Sequence, residues 1–180
     1  LPPANFLHEH EKIDRRWPDA IKLIEDNKLN EWFGPEASPG KASIGIICQG
    51  GMYNGVIRAL QRLGHADIFG QTEIPLYCLN VTYPVVKDEF IGFMRDKEDV
   101  LLLEEGQPEF IEQMMAAMLL RSDVKVALHG KDVFPLAGEY SGKVMLDGVT
   151  EFLRKYAPSK LPGQTRAPNK PPVKIPDLSD

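Results

Sequence analysis

The chain has 180 residues, of which 43% are apolar and 26% charged, with a formal net charge of -5. That is enough chain and enough apolar content for one globular domain with its own core. Charges of both signs are interspersed, which argues against nucleic acid or an anionic membrane as the main partner, and no run of about 20 apolar residues is long enough to span a bilayer.

The opening residues Leu1-Pro2-Pro3-Ala4-Asn5 carry neither a charged region nor an apolar leader, so a cytoplasmic location is expected. Both ends are rich in proline and read as interior linkers. Residues 1–41 form a lead-in. Its apolar positions Ile13, Trp17, Ile21 and Ile24 recur at helical spacing, and Pro18 starts a new helix or kinks the old one. Gly34-Pro35 and Ser38-Pro39-Gly40 stop that pattern.

Residues 42–157 then repeat one unit. The apolar run Ser43-Ile44-Gly45-Ile46-Ile47-Cys48 is followed by the turn Gly50-Gly51, and then Met52, Val56, Ala59 and Leu63 recur at helical spacing. Ile74-Pro75-Leu76-Tyr77-Cys78-Leu79 precedes a helix carrying Val86, Phe90, Phe93 and Met94. Val100-Leu101-Leu102-Leu103 precedes a helix whose apolar face is expected to hold Phe110, Met114, Ala117 and Met118. Val124-Lys125-Val126-Ala127-Leu128 leads through a loop, His129 to Tyr140, to a last helix with Met145, Val149, Phe152 and Tyr156. Short runs that are apolar throughout, alternating with amphipathic helices, predict βαβ units around a parallel sheet buried on both faces. Right-handed crossovers then place helices on both sides. Residues 158–180 bring Pro158, Pro162, Pro168, Pro171, Pro172 and Pro176 with little apolar periodicity, the composition of a linker.

Cys48 and Cys78 sit inside apolar runs and read as small core residues, with no disulfide or zinc spacing. His8 and His10 lie in a polar stretch and read as exposed, and no cluster of residues predicts a metal site. The sharpest local feature is the strand-to-helix turn around Gly50, Gly51, Tyr53 and Asn54, whose backbone N–H groups suit an anion. The same glycines are equally expected where a strand must turn tightly into a helix. The full dinucleotide and P-loop fingerprints are absent. A strand order of 2-1-3-4 sets Glu104-Glu105-Gly106 beside this turn, at the topological switch point. Adjacent strand residues point to opposite faces, so the two glutamates do not form a catalytic pair. Tyr83 ends up on the same edge, and the loop bearing Lys131 and Glu139 offers exposed charged contacts. Ser141 is placed to cap the last helix. No nucleophile with its base can be assembled, so no catalytic residue is named.

The strings Ile44-Gly45-Ile46-Ile47-Cys48…Gly51-Met52-Tyr53-Asn54, Leu79-Asn80-Val81-Thr82-Tyr83-Pro84-Val85 and Val100-Leu101-Leu102-Leu103-Glu104-Glu105-Gly106 stand in an order and spacing that resembles the 2-oxoacid:ferredoxin oxidoreductases, and within them the indolepyruvate branch. The likeness covers about residues 43 to 155 and lies in that family's transketolase C-terminal-like domain. It implies a three-layer α/β/α fold, with a mostly parallel sheet whose one antiparallel edge strand the sequence does not locate. It implies a parent enzyme that oxidatively decarboxylates an aryl 2-oxoacid with thiamine diphosphate and magnesium. Electrons pass through iron–sulfur clusters to ferredoxin, and coenzyme A is the acyl acceptor. This piece holds no Gly-Asp-Gly…Asn segment and no cluster-binding cysteines, so no cofactor is expected on it. The expected role is an assembly domain, with Tyr83, Glu104, Glu105, Lys131 and Glu139 facing other domains or subunits of a homo-oligomeric parent. The alternative is a module binding coenzyme A or a nucleotide in the crevice of Gly50, Gly51, Tyr53 and Asn54.

Overall fold

The computed structural model describes residues 2–35 and 44–161. Two helices open the chain, α1 (Ala4–Glu11) and α2 (Trp17–Asp26), joined without a break by a π-helical turn, Lys12–Arg16. The wider turn sits just ahead of Pro18, which lacks the N–H that a regular helix would need there. Only the second half of this arm packs on the body, through Ile24. Phe6, Leu7 and Ile13 stay exposed.

Five strands follow, β1 (Glu31–Phe33), β2 (Ile44–Gln49), β3 (Leu76–Leu79), β4 (Asp99–Leu103) and β5 (Ala127–His129). They form one sheet in the order β1-β3-β2-β4-β5. The four later strands are parallel and stand in the expected order. The antiparallel edge strand, which the sequence left unplaced, is β1 against β3, with Trp32 opposite Tyr77. It comes from the stretch read as a lead-in. A three-residue strand with one Trp and one Phe gives no periodic signal, so only its pairing reveals it.

Helices α3 (Tyr53–Leu63) and α6 (Gly142–Tyr156) cover one face, and α4 (Lys87–Met94) and α5 (Phe110–Leu120) the other. Alternate strand residues divide between them. Ile46, Leu76 and Leu101 lie in register and face α3 and α6, while Ile47, Tyr77 and Leu102 face the opposite layer. Each side chain of this kind, fully buried, contributes about 1.5–3 kcal/mol. Helix α3 ends where Gly64 takes φ 82°, a left-handed cap open to glycine.

Two expected details differ. On α5 the buried residues are Ile111 and Met115, one position on from the expected face, and Phe110 is exposed. The helix is apolar nearly all round, so its sequence does not specify which stripe faces the sheet. Ser141 does stand at the N-cap of α6, but its side chain makes no capping bond. The stop at Ser38-Pro39-Gly40 and the proline-rich linker past 161 lie outside the described residues.

Candidate functional site

The carboxyl ends of β2, β3 and β4 meet the loop after β5, as the strand order requires. Gln49 ends β2, and the 3-10 turn Gly50–Met52 delivers the chain into α3. At Gly50 a Cβ would lie 2.5 Å from Asn80 Oδ1, so the Asn80 side chain occupies that space. Asn80 also donates to the Leu29 carbonyl and to Glu31, both at 2.9 Å, and so ties the turn to the start of β1. Gly51 and Asn54 are exposed, and nothing lies within 4 Å of a Cβ at Gly51. Tyr53 packs against Phe33, with ring centroids 4.8 Å apart and the planes tilted by 39°.

The two glutamates after β4 part company, as adjacent strand residues should. Glu104 is buried, and its carboxylate accepts N–H bonds from Ile111 (3.0 Å) and Glu112 (3.1 Å). These are donors of the first turn of α5, unpaired within the helix and at its positive end. Glu104 therefore caps this helix. Glu105 is exposed, yet its carboxylate accepts the Tyr140 N–H and its own N–H donates to Gln49 Oε1.

Lys131 is also turned inward. Its ammonium donates to the Glu104 carbonyl at 2.6 Å and to the Tyr140 hydroxyl at 2.7 Å, and that hydroxyl donates on to the Pro135 carbonyl. The Lys131 backbone N–H donates to Glu112, whose carboxyl burial pushes up. Lys131, expected as an exposed charged contact, is half-buried and held in this network. Gln49, Asn80 and Tyr140 do much of the tying, and the sequence did not single them out. Side-chain-to-backbone bonds of this kind leave no periodic trace.

Tyr83 and Glu139 are exposed at this edge. Tyr83 meets Trp17 edge-on, with ring centroids 5.0 Å apart, where the helical arm passes the end of β3. The arm is anchored beside it by Asn30, which is buried. Its amide donates to Glu89 at 3.0 Å and its Oδ1 accepts the Val81 N–H. The Tyr77 hydroxyl donates to the same Glu89, and burial pushes the phenol well up.

Among the described residues no hydroxyl or thiol is hydrogen-bonded to a histidine. With Asn80 standing at Gly50 and Lys131 engaged with Glu104 and Tyr140, these residues do not fit a diphosphate group. Among the described residues no group of three or more His, Cys, Asp or Glu is placed to hold a metal. No described helix is long and apolar enough to cross a membrane. Both cysteines lie buried and face each other across the β2–β3 register, where the hydrogen bond with the Cys78 thiol, and then burial, raise the Cys48 pKa.

The chain is similar to curated proteins all called indolepyruvate oxidoreductase subunit IorA. It is 28% identical over 176 residues to the one from Methanothermobacter marburgensis, covering 97% of this chain and 27% of that subunit. To the one from Pyrococcus abyssi it is 26% identical, covering 75% of this chain and 20% of that subunit. The chain thus spans about a quarter of the length of the curated relatives it matches. A solved 2-oxoglutarate:ferredoxin oxidoreductase from Magnetococcus marinus shares the fold, with a TM-score of 0.56 at 20% identity over 84% of this chain and 24% of that one. No protein-family model matches.

Proposed function

With curated homologues that are all indolepyruvate oxidoreductase subunits, we propose that this chain is the assembly domain of a thiamine-diphosphate-dependent indolepyruvate (2-oxoacid):ferredoxin oxidoreductase. In that reading the catalytic groups, the cofactor with its magnesium, and the iron–sulfur clusters belong to the rest of a longer protein. Ferredoxin and coenzyme A are then partners of the whole enzyme. This domain orients its neighbours.

One observation carries the reading. Two charged groups of the sheet's carboxyl edge are spent inside the domain, Glu104 capping α5 and Lys131 holding the loop, while Glu105 and Glu139 stay exposed. Beside them Tyr83 stands exposed against Trp17, and Ile13, Leu7 and Phe6 are exposed along the helical arm. Exposed aromatic and apolar side chains of this kind are what an interface covers.

Tyr83→Ala with Ile13→Glu in the full-length enzyme tests it. The variant should lose assembly and turnover, while the 180-residue chain carrying the same changes keeps its unfolding midpoint. A full-length variant with wild-type assembly and turnover would overturn the reading. A saturable thermal shift of the isolated chain with coenzyme A or a nucleotide would instead move the function to the Gly51 and Asn54 surface.

A further inference from the structure

The opposite end of the sheet carries a different kind of feature. Trp32 of β1, Phe33, Phe93 and Gly92 of α4, and the pair Asp96–Lys97 surround an open cavity of about 430 Å³, a size usual for small-molecule sites. The indole of Trp32 is 55% exposed and stands 5.6 Å from the Phe93 ring. Lys97 is only 6% exposed, and fully buried lysines are rare unless paired. Its ammonium donates to the Phe93 carbonyl at 2.6 Å and to Asp96 at 2.7 Å, and lies 4.2 Å from the centroid of the Phe93 ring. The carbonyl belongs to the last turn of α4, the negative end of the helix.

An ammonium has three N–H groups; among the described residues two find oxygen acceptors, and the group has only the Phe93 ring beside it otherwise. The Asp96 carboxylate keeps a second oxygen. The cavity therefore offers one donor and one acceptor of opposite charge on adjacent residues, beneath aromatic walls. A simple anion would be repelled by Asp96 and a simple cation by Lys97. A molecule with a carboxylate and an ammonium on one carbon, and a flat ring beyond, satisfies all three features. We propose that this cavity binds a free aromatic α-amino acid, its carboxylate on Lys97, its ammonium on Asp96 and its ring against Trp32 and Phe93. The site lies at the amino end of the strands, where Pro75 leads into β3 and Lys97 into β4. It is thus separate from the carboxyl edge, and its failure would leave the assembly reading intact.

Isothermal titration of the 180-residue chain with L-phenylalanine tests the proposal. Phenylacetate, phenethylamine and L-alanine remove the ammonium, the carboxylate and the ring in turn. Saturable binding of L-phenylalanine is expected, at least about tenfold tighter than any of the three. Gly92→Leu fills the space beside Trp32, where a Cβ would lie 3.6 Å from the indole. It also replaces a mid-helix glycine by a better helix former, so the fold should hold while binding is lost. Lys97→Met keeps the buried stem and should weaken binding about tenfold or more. No saturable heat up to about 10 mM ligand would overturn the proposal. So would unchanged binding in a folded Gly92→Leu variant, or phenylacetate binding as tightly as L-phenylalanine.

Discussion

The two ends of the sheet use charge in opposite ways. At the carboxyl end Glu104 and Lys131 are consumed in holding α5 and the loop after β5. At the amino end Lys97 is as buried as Glu104, but it lies beside a cavity with aromatic walls. A buried, hydrogen-bonded charge is a strut in one place and part of a recess in the other. The difference lies in what the neighbouring backbone leaves empty. At the carboxyl end Asn80 and Tyr140 occupy the space, whereas at the amino end Gly92 leaves it open.

Removing the strut should have the largest effect. Glu104→Ala leaves two first-turn N–H groups of α5 without acceptors and should cost about 3 kcal/mol, read from the urea unfolding midpoint. Next, Gly50→Ala drives a methyl group toward Asn80 and should cost about 2 kcal/mol, while Gly51→Ala, one residue on and in open space, should stay within about 0.5 kcal/mol. Equal effects at the two glycines would refute the close approach. Tyr83→Ala should change the stability of the isolated chain by less than about 0.5 kcal/mol, because the ring is exposed.

The smallest effect is a pH dependence at the loop. Burial pushes the Asp132 carboxyl up, but bonds from His129 and the Gly130 N–H outweigh it and hold the group below the usual aspartate range. A lowered folded-state value means the contribution is full above the ordinary unfolded value and is lost as pH falls through the lowered one. Asp132 is half-exposed, so the contribution is screened and small. Asp132→Asn should therefore flatten the acid limb of a melting-temperature profile taken from about pH 2 to 6. Glu112 runs the other way. Its raised carboxyl makes the fold less stable as pH rises from the ordinary glutamate value through the raised one.

The four parallel strands, their order and the helices between them were legible because long apolar runs and helical spacing report burial directly. The carboxyl edge was legible as a place, since strand order alone brings Gly50, Tyr83 and Glu104 to one end. The behaviour of its side chains was not. Tyr53 packs on Phe33, and Lys131 reaches back to a backbone carbonyl 27 residues away, contacts that depend on the chain closing in three dimensions.

What the sequence determined by itself was therefore the fold class, the strand order and the likeness to a larger oxidoreductase. These rest on local pattern, which the chain carries at every window. Only the tertiary structure decided that β1 closes the sheet edge, that Ile111 rather than Phe110 faces the core, and that Glu104 turns inward while Tyr83 faces out. Each of those outcomes is a choice between faces or partners of similar local cost. It is settled by which backbone groups would otherwise be buried without a hydrogen bond, and by which apolar surface finds a neighbour.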